Sequence, residues 1–202
     1  MKKGHVYTLV FMVALSAVLT FALAASYEGF KPAIRANKEL QEQRAVLYAL
    51  GLDKDLKDGM VWDAYTANVE PASVSGAAEV AGVPVLAHVK DGEPVAYAVP
   101  FEGAGLWGAL RGYLGLKASL DEITGLVFTY QNETPGLGGR INESWFKEQF
   151  RGVPVREGVK LAYGAAEGGG LDAVTGATQT SSAVLRTLNK LLAEVVFSGE
   201  GK

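Results

Sequence analysis

"VPVLAHVKDGEPVAYAVPF", residues 83–101, alternates apolar and polar positions on both sides of a short charged break. Val83, Val85, Ala87 and Val89 share one face, and Val95, Tyr97, Val99 and Phe101 share another, which is the period of two expected of strands with one buried side. Asp91-Gly92 inside "KDGE" suits a tight turn in which both central residues take positive φ. The stretch therefore predicts an antiparallel hairpin. Beyond it, "GAGLWGAL" interrupts the alternation with glycines at 103, 105 and 108 around Trp107, where backbone can approach a ligand or a neighbouring strand closely. "RGYLGLKASLDEITGLVFTYQ" resumes as two short strands, the second spanning 125–130.

Helices flank this strand-rich centre. "ESWFKEQF", residues 143–150, reads as a short amphipathic helix with Asn142 as its N-cap. At the C-terminus, Val184, Leu185, Leu188, Leu191, Leu192, Val195 and Val196 form one apolar stripe at helical spacing, which Gly199 closes. Upstream, "KPAIRANKELQEQRAVLYALG" reads as a helix with Pro32 in its first turn and Gly51 as its stop. Residues 52–82 have weaker periodicity and many turn formers, and predict only short elements. Strands in the middle with helices around them imply an α+β fold.

The N-terminus has another character. "VYTLVFMVALSAVLTFALAA" runs from Val6 to Ala25 without a charge, and at ~1.5 Å per residue it spans about 30 Å, one hydrocarbon core. Lys2 and Lys3 precede it, so the positive-inside tendency holds the N-terminus in the cytoplasm and sends the rest outward. Ala22-Leu23-Ala24 also offers a small-x-small cleavage pattern, but the apolar run exceeds the ~7–15 residues usual in a signal peptide. Either reading exports the domain. The expected organisation is a cytoplasmic start and transmembrane anchor over 1–25, a juxtamembrane helix over 26–51, and an exported domain over 52–202.

Composition excludes several chemistries. There is no cysteine, so disulfides, thiolate catalysis and iron–sulfur ligation are out. Two histidines, His5 and His88, make a His-rich metal site or a catalytic triad improbable. After residue 25 there are 17 basic against 22 acidic side chains, which provides no basic face for nucleic acid.

Two loops remain to be explained. "NETPGLGGRI", residues 132–141, carries Pro135 with glycines at 136, 138 and 139. "LDAVTGATQTSSAVLRTLNK", residues 171–190, follows the glycine run 168–170 and gathers Thr178, Thr180, Ser181 and Ser182 at a helix start. The plainest reading is a capped helix, since one Thr or Ser satisfies exposed N–H groups. A cap needs one hydroxyl, however, and a helix entrance also suits an anionic group.

"DAVTGATQTS", Asp172 to Ser181, resembles the flavinylation motif of the covalent-FMN subunits of membrane redox complexes. Two such complexes share it, the sodium-translocating NADH:quinone oxidoreductase (Nqr) and the Rnf electron transport complex. On that pattern Thr180 is the acceptor, and Asp172, Thr175, Gly176, Ala177 and Thr178 form the motif read by a flavin transferase. "ETPGLGGRI" is similar to the other hallmark of these families, and "GAGLW" and "NKELQEQRAVLYALGL" resemble the Nqr type more than the Rnf type. The chain is shorter than expected of the Nqr type, and assignment between the two complexes stays open.

The resemblance implies FMN joined through its phosphate to Thr180, installed after export by a magnesium-dependent transferase using FAD. It implies Thr178 or Ser181 near the phosphate, and Glu133, Thr134, Gly136, Leu137 and Gly138 near the ring, with Trp107 as a stacking candidate. The implied role is an electron carrier among other subunits of a bacterial or archaeal inner-membrane complex, single-pass, with no turnover of its own. The composition, not the resemblance, leads to the expectation of no metal site and no nucleic-acid partner. A non-redox exported ligand-binding or scaffold module is the alternative; a serine hydrolase lacks the Gly-x-Ser-x-Gly elbow, and a flavin transferase would not carry the acceptor pattern.

Overall fold

The computed structural model describes residues 3–53, 56–164 and 170–198. Gly168 and Gly169 of the glycine run, Gly199 and Lys2 lie outside them. The chain divides into two units, one ending at Leu40 and the other beginning at Gln41.

Helix α1, Lys3–Ala49, passes through Pro32 without a break. The expectation of a second helix starting near Pro32 is thus corrected: a proline removes one helical hydrogen bond, and a long helix absorbs that loss. By length and composition this helix can cross a membrane. In the second unit its last turns are buried, with Val46, Leu47 and Ala49 fully enclosed. Gly51 ends it as expected, at φ 76°. Leu52 N–H donates to Leu47 O at 2.8 Å and Gly51 N–H to Tyr48 O at 3.1 Å, the paired bonds of a Schellman cap.

The region of weak periodicity contains α2 (Val61–Asn68), β1 (Val69–Pro71) and a small ribbon of β2 (Glu79–Val80) with β3 (Val83–Pro84). The main sheet then follows as β4 (Leu86–Lys90), β5 (Glu93–Ala104), β6 (Ala109–Lys117) and β7 (Ile123–Tyr130), in the order β1-β4-β5-β6-β7 and antiparallel throughout. The β4–β5 turn has Asp91 at φ 55° and Gly92 at φ 84°, as the mirror-image hairpin turn demands. "GAGLW" becomes the tip of a second hairpin, closed by Gly105 N–H to Gly108 O at 2.8 Å.

Both faces of the sheet are covered, and the alternation of strand residues divides two cores. Val99, Phe101, Leu110, Leu114, Leu126 and Phe128 meet Phe146 and Phe150 near α3 (Ser144–Glu148), and Val184, Leu188 and Leu191 on α4 (Thr178–Leu191). Ala96, Ala98, Tyr113 and Val127 face the other way, onto Ala45, Val46, Ala49 and Leu50. The paired glycines Gly115 and Gly125 let α1 lie flat on that second face, because a Cβ on Gly115 would overlap the Ala49 carbonyl. Thr124 Oγ1 donates to the same carbonyl at 2.6 Å. Tyr48 adds a lock, its hydroxyl donating to Glu148 and its ring lying under Lys147 and Arg151.

Two helix ends differ from expectation. Asn142 closes a 3₁₀ turn, Gly138–Asn142, and Glu143 is the residue preceding α3. Glu143 makes no cap bond because its carboxylate is engaged by Arg140 Nε at 3.2 Å and by the Trp145 indole N–H at 2.5 Å. At the C-terminus α4 widens into a π-helical turn, Leu192–Val196, that keeps Leu192 and Val196 buried while Val195 is only half-buried.

Gly115→Ala should therefore lower stability by about 1–3 kcal/mol, the range for overpacking a filled site. The measurement is the denaturant midpoint beside Gly92→Ala, whose Cβ meets no atom and whose cost is confined to its positive φ.

Candidate functional site

The two unexplained loops meet. Thr180 in the first turn of α4 donates its hydroxyl to Glu133 Oε2 at 2.6 Å, across 47 positions of sequence. Both are enclosed, Thr180 at 1% and Glu133 at 5% exposure. The other carboxylate oxygen, Oε1, accepts the backbone N–H of Leu106 at 2.8 Å and of Trp107 at 3.0 Å. One side chain thus joins the β5–β6 hairpin tip, the end of β7 and the start of α4. Gln131 Oε1 accepts the Glu133 N–H at 2.7 Å and fixes the backbone from which the carboxylate projects.

Glycine makes the slot. A Cβ on Gly138 would stand 2.5 Å from Thr180 Oγ1 and 2.9 Å from Glu133 Oε2, and one on Gly105 would overlap Oε1. The "TPGLGG" segment turns over the hydroxyl, with the Thr134 carbonyl accepting from Leu137 N–H at 3.1 Å and Gly139 N–H at 3.0 Å. Gly136, at φ 76°, takes the left-handed position this turn requires. Across from it Gly176 has φ 79°, and a Cβ there would touch Leu137 Cδ2 at 3.6 Å.

The helix end is not capped by its hydroxyls. Ala177 occupies the N-cap without a side-chain bond, and the first helical bond runs from Ser181 N–H to Ala177 O at 3.0 Å. The N–H groups of Thr178, Gln179 and Thr180 are left without a partner inside the helix. Ser181, grouped with these hydroxyls by sequence, faces inward at 0% exposure and accepts the Val174 N–H at 3.0 Å. The resemblance places this hydroxyl near a phosphate; in the structure its oxygen is taken up by the Val174 N–H. Tyr163 donates its hydroxyl to the Ser181 carbonyl at 3.0 Å, and burial pushes that phenol above its ordinary range, so it stays a donor.

The remaining sequence-predicted residues differ from Thr180 and Glu133 in exposure. Thr134, Gly136, Thr175, Gly176, Thr178 and Asp172 are exposed, while Ala177 is buried under the turn. Leu137 is 47% and Trp107 66% exposed, so neither fills the domain core. Sequence reasoning missed Gln149, which clamps the start of the motif by accepting the Asp172 N–H at 2.6 Å and donating to its carbonyl at 3.0 Å. No local pattern marks a glutamine as the partner of a backbone 23 residues away.

The arrangement has the parts an esterified phosphate needs: a serviceable oxygen, unpaired helix N–H groups, and glycines that admit close approach. Its constraint is equally plain. The Thr180 oxygen lies beneath a turn, so any group joined to it would require that turn to open or to close afterwards.

Residues 105–193 match the family model described as the FMN-binding domain, and the site just described lies inside that range. The site thus lies in a stretch similar to FMN-binding domains. Over nearly its whole length the chain is similar to NqrC, a subunit of Na(+)-translocating NADH-quinone reductases. It is 27% identical to that of Pasteurella multocida (strain Pm70) over 88% of this chain and 85% of the relative. It is 25% identical to that of Vibrio anguillarum over 94% and 91%. The same fold is seen in crystal structures of Shewanella oneidensis NqrC, at TM-score 0.68 and 22% identity over 81% of this chain and 96% of that one. The corresponding subunit of Parabacteroides distasonis gives TM-score 0.62 and 24% identity over 80% and 92%. Both the curated relatives and the solved structures thus liken this chain to the C subunits of Na(+)-translocating NADH-quinone reductases.

Gly138→Ala should separate Thr180 from Glu133 and cost about 1–3 kcal/mol, because its two close neighbours are both held in place. The thermal midpoint would fall, and hydrogen exchange at the Leu106 and Trp107 amides would accelerate. Unchanged protection of those amides would mean that Glu133 is not held by the slot.

Proposed function

We propose that this chain is an electron-carrying subunit of an ion-translocating membrane oxidoreductase, of the sodium-coupled NADH:quinone type, with FMN joined through a phosphodiester to Thr180. The observation that carries the proposal is the convergence of the Thr180 hydroxyl, the glycine turn over Gly136–Gly138 and the open N-terminus of α4 within the stretch that matches the FMN-binding domain. When bound, FMN supplies the redox chemistry, passing electrons one at a time between partner subunits.

The chain's own residues hold and place it. Helix N–H groups of Thr178 to Thr180 face the phosphate, and the exposed hydroxyl of Thr178 is within the same turn. The apolar rim of Leu137, Leu106 and Trp107, each between 47% and 66% exposed, offers a surface for a flat ring. Asp172, Thr175, Gly176, Ala177 and Thr178 serve as the stretch read by a flavin transferase that takes FAD and magnesium. Their exposure, Ala177 excepted, suits that use. Helix α1 anchors the chain by a single pass, with the N-terminus in the cytoplasm and the domain from residue 52 outside.

The sodium-pump reading is favoured over the Rnf one by the relatives, which match along 88% and 94% of this chain and bear the name of the sodium-translocating reductase. The test is expression of the full chain with a flavin transferase, followed by a denaturing gel and intact mass. Wild type should fluoresce and gain the mass of FMN less one water; Thr180→Val should lose both, and Thr178→Val should keep label. Label persisting on Thr180→Val would move the attachment elsewhere.

A further inference from the structure

We propose that Glu133 is the proton acceptor for the esterification of Thr180, and that it keeps the proton in the loaded protein. The inference rests on Thr180 being the attachment point. Thr180 Oγ1–H is aimed at Glu133 Oε2 at 2.6 Å, and that carboxylate oxygen is the acceptor of its hydroxyl among the described residues. Oε1 is held by two backbone N–H groups, and the absence of a Cβ at Gly105 and Gly138 lets backbone close on both sides of the carboxylate. A carboxylate so fixed is within hydrogen-bond reach of the proton it would remove, the first requirement of a general base.

The balance is simple. The donor is a flavin dinucleotide, whose pyrophosphate joins FMN to AMP. A bond forms between Thr180 Oγ1 and the FMN phosphorus, the bond from that phosphorus to the bridging oxygen breaks, and AMP leaves with the bridging oxygen and its electron pair. The hydroxyl proton passes to Glu133 Oε2. No oxidant or reductant is consumed.

Charge explains why the proton stays. A general base must begin as the carboxylate, so on this proposal the enclosed site starts with one negative charge. Afterwards a phosphodiester anion sits on Oγ1, and two like charges at hydrogen-bond distance away from water are strongly unfavourable. A neutral Glu133 keeps the site at one charge. It also turns the original hydrogen bond around, with Oε2–H donating to the phosphodiester in place of the hydroxyl donor that esterification removes.

The test compares Glu133→Gln with wild type in the full chain, using a purified flavin transferase, FAD and magnesium. Glutamine can still accept from the Leu106 and Trp107 N–H groups but presents an amide to Thr180 and cannot take its proton. Labelling of Thr180 should slow about a hundredfold or more, the lower end of what a positioned base contributes. A second readout needs no variant to fold: the infrared difference between loaded and unloaded wild type should show one carboxylate replaced by one carboxylic acid. Labelling of Glu133→Gln within about threefold of wild type overturns the inference, as does a loaded wild type with no new carboxylic acid. A wild type that takes no label at all, or takes it away from Thr180, sinks the carrier reading and this inference with it.

Discussion

A single buried carboxylate organises the business end of this domain. Glu133 accepts three hydrogen bonds, from Leu106 N–H, Trp107 N–H and the Thr180 hydroxyl, which come from two other parts of the chain. Enclosing a carboxylate costs several kcal/mol unless its oxygens are satisfied, so the three donors and Glu133 stand or fall together. The glycines follow from the same constraint. Gly105 and Gly138 flank the carboxylate because any side chain there would strike it. The "ETPGLGG" and "GAGLW" stretches are therefore two walls of one slot.

What was legible in the sequence was local. The hairpin over 83–101 could be read because alternation and the Asp91-Gly92 turn are properties of neighbouring residues, and the same holds for the stripe of α4 and the stop at Gly51. Non-local consequences could not be read. Pro32 predicts a helix start by its local preference, but the helix passes through it. Asn142 has the chemistry of a cap, yet a 3₁₀ turn uses that position and the next carboxylate is drawn off by Arg140 and Trp145. At the candidate site the two motifs were visible separately, but nothing in a string of letters places residue 133 against residue 180 or residue 149 against residue 172. Ser181 illustrates the limit well: one position from Thr180, it points into the core because successive helix residues are turned by about 100°.

The second face of the sheet has its own logic. An antiparallel sheet often leaves one face to water, and here the last turns of α1 cover it, seated on the Gly115–Gly125 pair and pinned by Thr124 and Tyr48. That arrangement makes the end of the apolar helix a structural part of the globular unit, since its Val46, Leu47 and Ala49 are as enclosed as any core residue.

Burial of the Thr180 oxygen bears on how the carrier we propose would keep its cofactor. An exposed ester beside water and free carboxylates is open to attack, whereas an ester closed under a glycine turn is shielded by backbone that has no reactive group. The same closure sets a condition on the attachment we propose, for which a donor the size of a dinucleotide would have to reach an oxygen on a residue that is 1% exposed. The segment that has to yield is short and bears few buried apolar contacts of its own, with Thr134 to Leu137 exposed and joined mainly by two bonds to the Thr134 carbonyl. Segments of that composition lie at the low end of local stability, so the turn can open without disturbing the two cores beneath it. The position of the glycines thus serves both needs: they allow the turn to sit close when shut, and their small side-chain burial keeps the cost of opening low.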